Sequence, residues 1–176
     1  MRVWQKCLVL APALVLASAA SASSHGDRGR KLKADLKGLR EVPSVSSVAQ
    51  GSFRGTINED ETEIEFRLNY SGLEGAVTQS HIHFGQTSVN GGIAIWLCGN
   101  PPLTPPAGTA LCPDAGDGPE VTGTLKPENV VGPAGQGIAV GEFAEVIRAI
   151  RNGSAYANVH TTKFGGGEIR GQIQVD

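Results

Sequence analysis

The chain has 176 residues, with 15 Lys+Arg against 17 Asp+Glu and a formal net charge of −2, a balance that leaves no basic footprint for nucleic acid or for an anionic membrane surface. Glycine reaches 24 residues and aromatics only 5%, and glycine disfavours a helix by about 1 kcal/mol at each interior position. With 40% hydrophobic residues gathered in patterned runs, composition excludes a long helical bundle and whole-chain disorder, and predicts one turn-rich, all-β domain.

Residues 1–22 read as a secretory signal peptide. Arg2 and Lys6 form a short basic start, Cys7–Ala17 is an apolar run broken by Pro12, and Ala20-Ser21-Ala22 supplies the small residues a signal peptidase needs. The run falls short of the roughly 20 apolar residues of a membrane span, so no transmembrane segment is expected after cleavage; an uncleaved anchor is the alternative. Removing Arg2 and Lys6 lowers the 15 basic residues by two, to 13 against 17 acids. Cleavage also removes Cys7 and leaves Cys98 and Cys112, an even pair that in an exported chain predicts a disulfide. The bridge would close a loop too rich in proline, Pro101-Pro102 and Pro105-Pro106, to hold regular structure.

Residues 23–31 are polar and basic, a predicted flexible tail, and the domain is expected over 32–176. Leu32, Ala34 and Leu36 alternate with charged residues, the period of a half-buried strand. Phe53, Gly55 and Ile57, then Ile64, Phe66, Leu68 and Tyr70, frame the turn Asn58–Glu61 as a hairpin. Ala76–Phe84 is the next strand, Ile93–Leu97 is apolar enough to be buried on both faces, and Val121–Leu125 is a short strand. Phe143, Val146, Ile147 and Ile150 fall at i, i+3, i+4 and i+7, so Gly141–Arg151 reads as one amphipathic helix closed by Asn152-Gly153. Ser154–Thr161 and Glu168–Val175 read as a closing hairpin. The predicted class is mainly all-β: an immunoglobulin-like or Greek-key β-sandwich, or a barrel, of seven or eight strands with one short crossing helix.

The histidines carry the chemistry. If Ile82 and Phe84 face the core, His81 and His83 share the opposite face; if Ala157 and Val159 face inward, Tyr156, Asn158 and His160 point outward; and Glu168, Arg170 and Gln172 follow in the last strand. A His-x-His pair on a strand is a natural bidentate unit, because side chains two apart point the same way. With His160 from an adjacent strand it would make a three-histidine site suited to copper or zinc, and Glu168 would be a fourth ligand or an orienting partner. The competing reading is structural: the imidazoles satisfy loop carbonyls, and Glu168 with Arg170 forms a surface ion pair. The sequence contains no Gly-x-Ser-x-Gly elbow, Walker loop or His-Glu-x-x-His, so no catalytic residue is assigned.

Several segments together resemble the chordin-type (CHRD) domain family. They are Leu36-Lys37-Gly38-Leu39-Arg40-Glu41-Val42-Pro43, Gly51-Ser52-Phe53, His81-Ile82-His83-Phe84-Gly85, and above all Ala155-Tyr156-Ala157-Asn158-Val159-His160-Thr161 with Gly167-Glu168-Ile169-Arg170-Gly171-Gln172. The resemblance marks Tyr156, Asn158, His160, Glu168 and Arg170 as its motif residues. It implies an extracellular β-sandwich module. Chordin's growth-factor antagonism is attributed to separate cysteine-rich modules, and two mature cysteines cannot build one. The expectation is an exported, non-enzymatic module with an unidentified extracellular or envelope partner; the alternative is a copper- or zinc-binding protein, with redox activity as its extension.

Overall fold

The structure is a computed structural model that describes Met1 and residues 29–114 and 120–176. The expected signal peptide lies outside the described residues, as does the basic tail up to residue 28. Gly29 and Arg30 are already tied down, Gly29 N–H to the Asp176 carbonyl at 2.6 Å and the Arg30 carbonyl to Ile57 N–H at 2.9 Å.

Nine strands form one antiparallel sheet that curls into a nearly closed barrel. They are β1 (Lys31–Lys37), β2 (Gln50–Ile57), β3 (Ile64–Ser71), β4 (Val77–Phe84), β5 (Gly92–Gly99), β6 (Glu120–Leu125), β7 (Ala155–Thr161), β8 (Ile169–Gln172) and β9 (Gln174–Val175), with one α-helix, α1 (Phe143–Arg151), among the described residues. The architecture is the barrel form of the predicted all-β class. Its strand count rises to nine because the last predicted strand breaks at Ile173 into β8, which pairs with β7, and β9, which pairs with β1.

The order β5-β4-β7-β8-β1-β2-β3-β6 places the last hairpin in the middle of the sheet. Alternation decides what faces inward: β1 buries Leu32, Ala34 and Leu36, and β3 buries Ile64, Phe66, Leu68 and Tyr70. These meet Phe53, Ile82, Ile95, Val159 and Ile169 in one core. Helix α1 adds Phe143, Val146, Ile147 and Ile150 to the same core from its single apolar stripe. Near the barrel's open seam, Val130 bridges to Ile95 and Val131 N–H bonds the Ala94 carbonyl at 2.9 Å, which covers part of the free edge of β5.

Cys98 and Cys112 form the expected disulfide, with Cα atoms 5.0 Å apart. The loop it closes is organised by Asn100. Its side-chain amide donates to the Val77 and Cys112 carbonyls at 3.0 and 2.8 Å, and its oxygen accepts from Cys112 N–H at 2.9 Å.

One expectation is corrected. The polar face of β4, β7 and β8, predicted to point outward, is not in water: His81, His83, Tyr156, Asn158, His160 and Arg170 are all buried. All seven residues of β7 are buried, so both of its faces are covered. The cover is loop, fastened by the polar side chains themselves. Arg170 donates to the Val89 and Gln86 carbonyls at 2.8 and 3.2 Å, and Gln172 donates to the Gly85 carbonyl at 2.9 Å. Buried loop backbone needs hydrogen-bond partners, and these two residues supply donors to its carbonyls.

Candidate metal centre

Strand pairing assembles the site. In the β4–β7 ladder His81 stands opposite Asn158, His83 opposite Tyr156, and Gln79 opposite His160. On the other side of β4, His81 stands opposite Trp96 of β5. Three imidazoles from two neighbouring strands therefore share one face, and each offers a ring nitrogen within 4.8 Å of the others'. His81 Nδ1 lies 3.2 Å from His160 Nε2. Two ligands at Zn–N lengths of about 2.0–2.1 Å and a tetrahedral angle stand about 3.3 Å apart, so that pair, hydrogen-bonded ring to ring without an ion, also has the spacing of two metal ligands. The 4.8 Å bound on the remaining pairs asks for ring shifts of no more than about 1.5 Å to reach the same spacing.

Backbone carbonyls set two of the tautomers. His83 Nδ1 donates to the Gly91 carbonyl at 2.9 Å, and His160 Nδ1 to the Gly165 carbonyl at 3.0 Å. A carbonyl only accepts, so both Nδ1 atoms carry the proton and both Nε2 atoms are left with a lone pair. The Asn158 Oδ1 lies 3.1 Å from His160 Nε2. His83 Nε2 and His81 Nε2 are buried with no hydrogen-bond partner. Burial of an unsatisfied polar atom costs about 1–3 kcal/mol. The structural reading of the histidines thus accounts for both nitrogens of His160, for His83 Nδ1 and for His81 Nδ1, which donates to the His160 Nε2 lone pair, and leaves His83 Nε2 and His81 Nε2 without a role.

Burial holds all three rings neutral. It pushes His81 down to about 2, with further lowering from the neighbouring His160 and His83, and pushes His83 down to about 4. His160 is lowered by the same cause, partly offset by its bond to Gly165. Neutral imidazole is the ligating form, so no proton competes for these lone pairs at neutral pH.

Aromatic and cationic groups enclose the cluster. The Trp96 ring meets His81 edge-on at 4.4 Å between centroids, and the Tyr156 ring stacks on His83 at 4.7 Å with 1° between planes. The Arg170 guanidinium carbon sits 3.4 Å from the Tyr156 ring centroid, a cation–π contact. Gly91, whose carbonyl holds His83, also donates its N–H to Tyr156 Oη at 3.3 Å. No other residue fits at Gly91, since a Cβ there would fall inside the Phe84 carbonyl.

The structure separates Glu168 from the histidines. The carboxylate is fully buried and accepts from Ser47 Oγ at 2.8 Å, Glu74 N–H at 2.9 Å and Thr161 Oγ1 at 2.8 Å. It latches the segment before β2, the turn before β4 and the end of β7, and it is not among the groups that converge with the three histidines. The alternative surface ion pair of Glu168 with Arg170 is also absent: both are buried, and Arg170 is spent on loop carbonyls, Asn90 Oδ1 at 3.4 Å and Tyr156. Trp96, Gly91 and Gly165 were missed at the sequence level. The only hint lay in the glycine runs Gly91-Gly92 and Gly165-Gly166-Gly167, which allow backbone carbonyls to approach a histidine closely.

A family model for the CHRD domain matches residues 32–173. No curated protein and no solved structure matches the chain.

Proposed function

The chain belongs to the CHRD-domain family, and from that premise we propose that it is an exported, non-enzymatic binding module that holds a transition metal, copper or zinc, through His81, His83 and His160. The observation that carries the metal reading is the convergence of three buried, neutral imidazoles, with His83 Nε2 left without a hydrogen-bond partner among the described residues. Family membership supports the non-enzymatic, extracellular part. The disulfide supports export as well, because such bonds persist in oxidising compartments, and the basic–apolar–small order of residues 1–22 supplies a signal. The unidentified extracellular or envelope partner belongs to the same reading.

Expression of the full chain followed by fractionation and N-terminal sequencing is expected to recover a protein outside the cytoplasm that begins near residue 23. Elemental analysis of that protein is expected to find about one copper or zinc per chain, lost in a His81→Ala/His83→Ala double variant that retains its circular dichroism spectrum. A wild-type protein that stays metal-free after incubation with excess Zn2+, Cu2+ and, anaerobically, Cu+ removes the metal from the proposal.

A further inference from the structure

Resting on the metal-binding reading above, we infer that the three-histidine site selects a monovalent ion, Cu+, over the divalent ions Zn2+ and Cu2+. The argument begins with charge. The three ligands are neutral imidazoles, and among the described residues the converging group contains no carboxylate or thiolate. Glu168, the acid nearest in the family motif, has both oxygens occupied by Ser47, Glu74 and Thr161. A bound ion would therefore keep its whole charge in a buried place. The desolvation cost of an ion grows as the square of its charge, so a dication costs about fourfold more than a monocation of the same size.

The surroundings sharpen the bias. Arg170, Tyr156 and His83 form a stack, with 3.4 Å from guanidinium carbon to tyrosine centroid and 4.7 Å from there to the histidine centroid. The guanidinium thus lies within about 8 Å of His83, no more than about one Debye length away and buried, and it repels a dication twice as strongly as a monocation. Glu41 is the other charged group on this side, and its carboxyl packs against Gly167. Burial raises it to about 7, so at neutral pH its charge only partly offsets Arg170.

The neutrality of the donor set points the same way. Zinc sites are almost always four-coordinate, with water filling a missing protein ligand. Here the three rings are buried, and Trp96 and Tyr156 lie against His81 and His83. The described side chains offer three nitrogens and, beside them, the neutral Asn158 Oδ1, 3.1 Å from His160 Nε2, so a fourth protein donor would add no negative charge. A d10 monocation is content with two or three nitrogen ligands, and Tyr156 Oη is directed to the Gly91 amide rather than to the cluster.

The test uses the mature, disulfide-bonded protein stripped of metal. Under anaerobic conditions Cu+ is titrated in competition with bathocuproine disulfonate, and Zn2+ and Cu2+ are titrated in parallel against chelators of known affinity. The expected result is one Cu+ per chain, bound at least 100-fold more tightly than either dication, with X-ray absorption showing two or three nitrogen ligands and no oxygen. An Arg170→Gln variant, which keeps donors for the loop carbonyls but loses the charge, is expected to narrow that ratio by tightening Zn2+ and Cu2+ more than Cu+. Should that variant not fold, the wild-type ratio and coordination number decide. Zn2+ or Cu2+ binding as tightly as Cu+ at these histidines would overturn the charge selection and leave the metal site standing. If none of the three ions binds, the metal-binding reading fails as well.

Discussion

Glu168 offers the sharpest test of how this fold is held together. Its buried carboxylate receives three hydrogen bonds, from Ser47 Oγ, Glu74 N–H and Thr161 Oγ1, and so joins three segments far apart in sequence. Glu168→Ala removes every acceptor at once. Each stranded donor costs about 1–3 kcal/mol, and the two hydroxyls recover part of theirs by rotation, so the expected loss is about 3–6 kcal/mol. That is a large fraction of the roughly 5–15 kcal/mol that stabilises a domain. Glu168→Gln behaves differently. Its amide oxygen still accepts from Ser47 and Glu74, while Thr161 turns its hydroxyl from donor to acceptor toward the new NH2 group, and the expected cost is about 1–2 kcal/mol. The assay is urea denaturation of the disulfide-bonded protein, with tryptophan fluorescence and circular dichroism as coincident probes. An alanine variant within 1 kcal/mol of wild type, or a glutamine variant as damaged as the alanine one, would refute the latch. In the glutamine variant, metal stoichiometry should be unchanged, since Glu168 serves the fold and not the histidines.

Two further outcomes follow from burial and connectivity. The metal-free protein should lose stability in acid: His83 and His81 are held at about 4 and about 2, against about 6.5 in the unfolded chain. The unfolded state therefore takes up protons first, and stability present above pH 6.5 falls by about 1.4 kcal/mol per histidine per pH unit below it, or about 4 kcal/mol for the pair at pH 5. Burial raises Glu41 from 4.5 to about 7, which has the opposite sign between those two values, so the measurement is made on Glu41→Gln; equal urea midpoints at pH 7.5 and 5.0 would contradict the account. Replacing Cys98 and Cys112 by Ala opens a loop with a sequence separation of 14 and should cost about 3 kcal/mol by the chain-entropy argument. A melting temperature unchanged by the double replacement would show that the hydrogen bonds of Asn100 already close that loop.

Local chemistry determined a good deal of this protein. Alternation along Leu32–Leu36 and Ile64–Tyr70 specified half-buried strands, the i, i+3, i+4, i+7 pattern from Phe143 specified the helix, and the pair Cys98 and Cys112 flanking a proline-rich loop specified the bridge. The spacing of His81 and His83 put both rings on one face, because a strand repeats every two residues. These are properties of a chain segment and its nearest neighbours, and they are legible without knowing what lies across the sheet.

Tertiary structure alone decided the rest. That β4 lies beside β7, so that His160 meets His81 at 3.2 Å, depends on strand order, which no single strand encodes. The polar face is buried because the loop before β5 folds back over it, a long-range event whose local trace is the glycine pair Gly91-Gly92. Glu168 misled the alternation argument for a related reason. It precedes β8, outside the strand proper, and follows Gly167 at φ 124°. Alternation is enforced only where a continuous ladder holds the backbone extended. At the ladder's end the glutamate side chain was free to turn away from the histidines and toward Ser47, Glu74 and Thr161, three donors that only the folded barrel brings to one place.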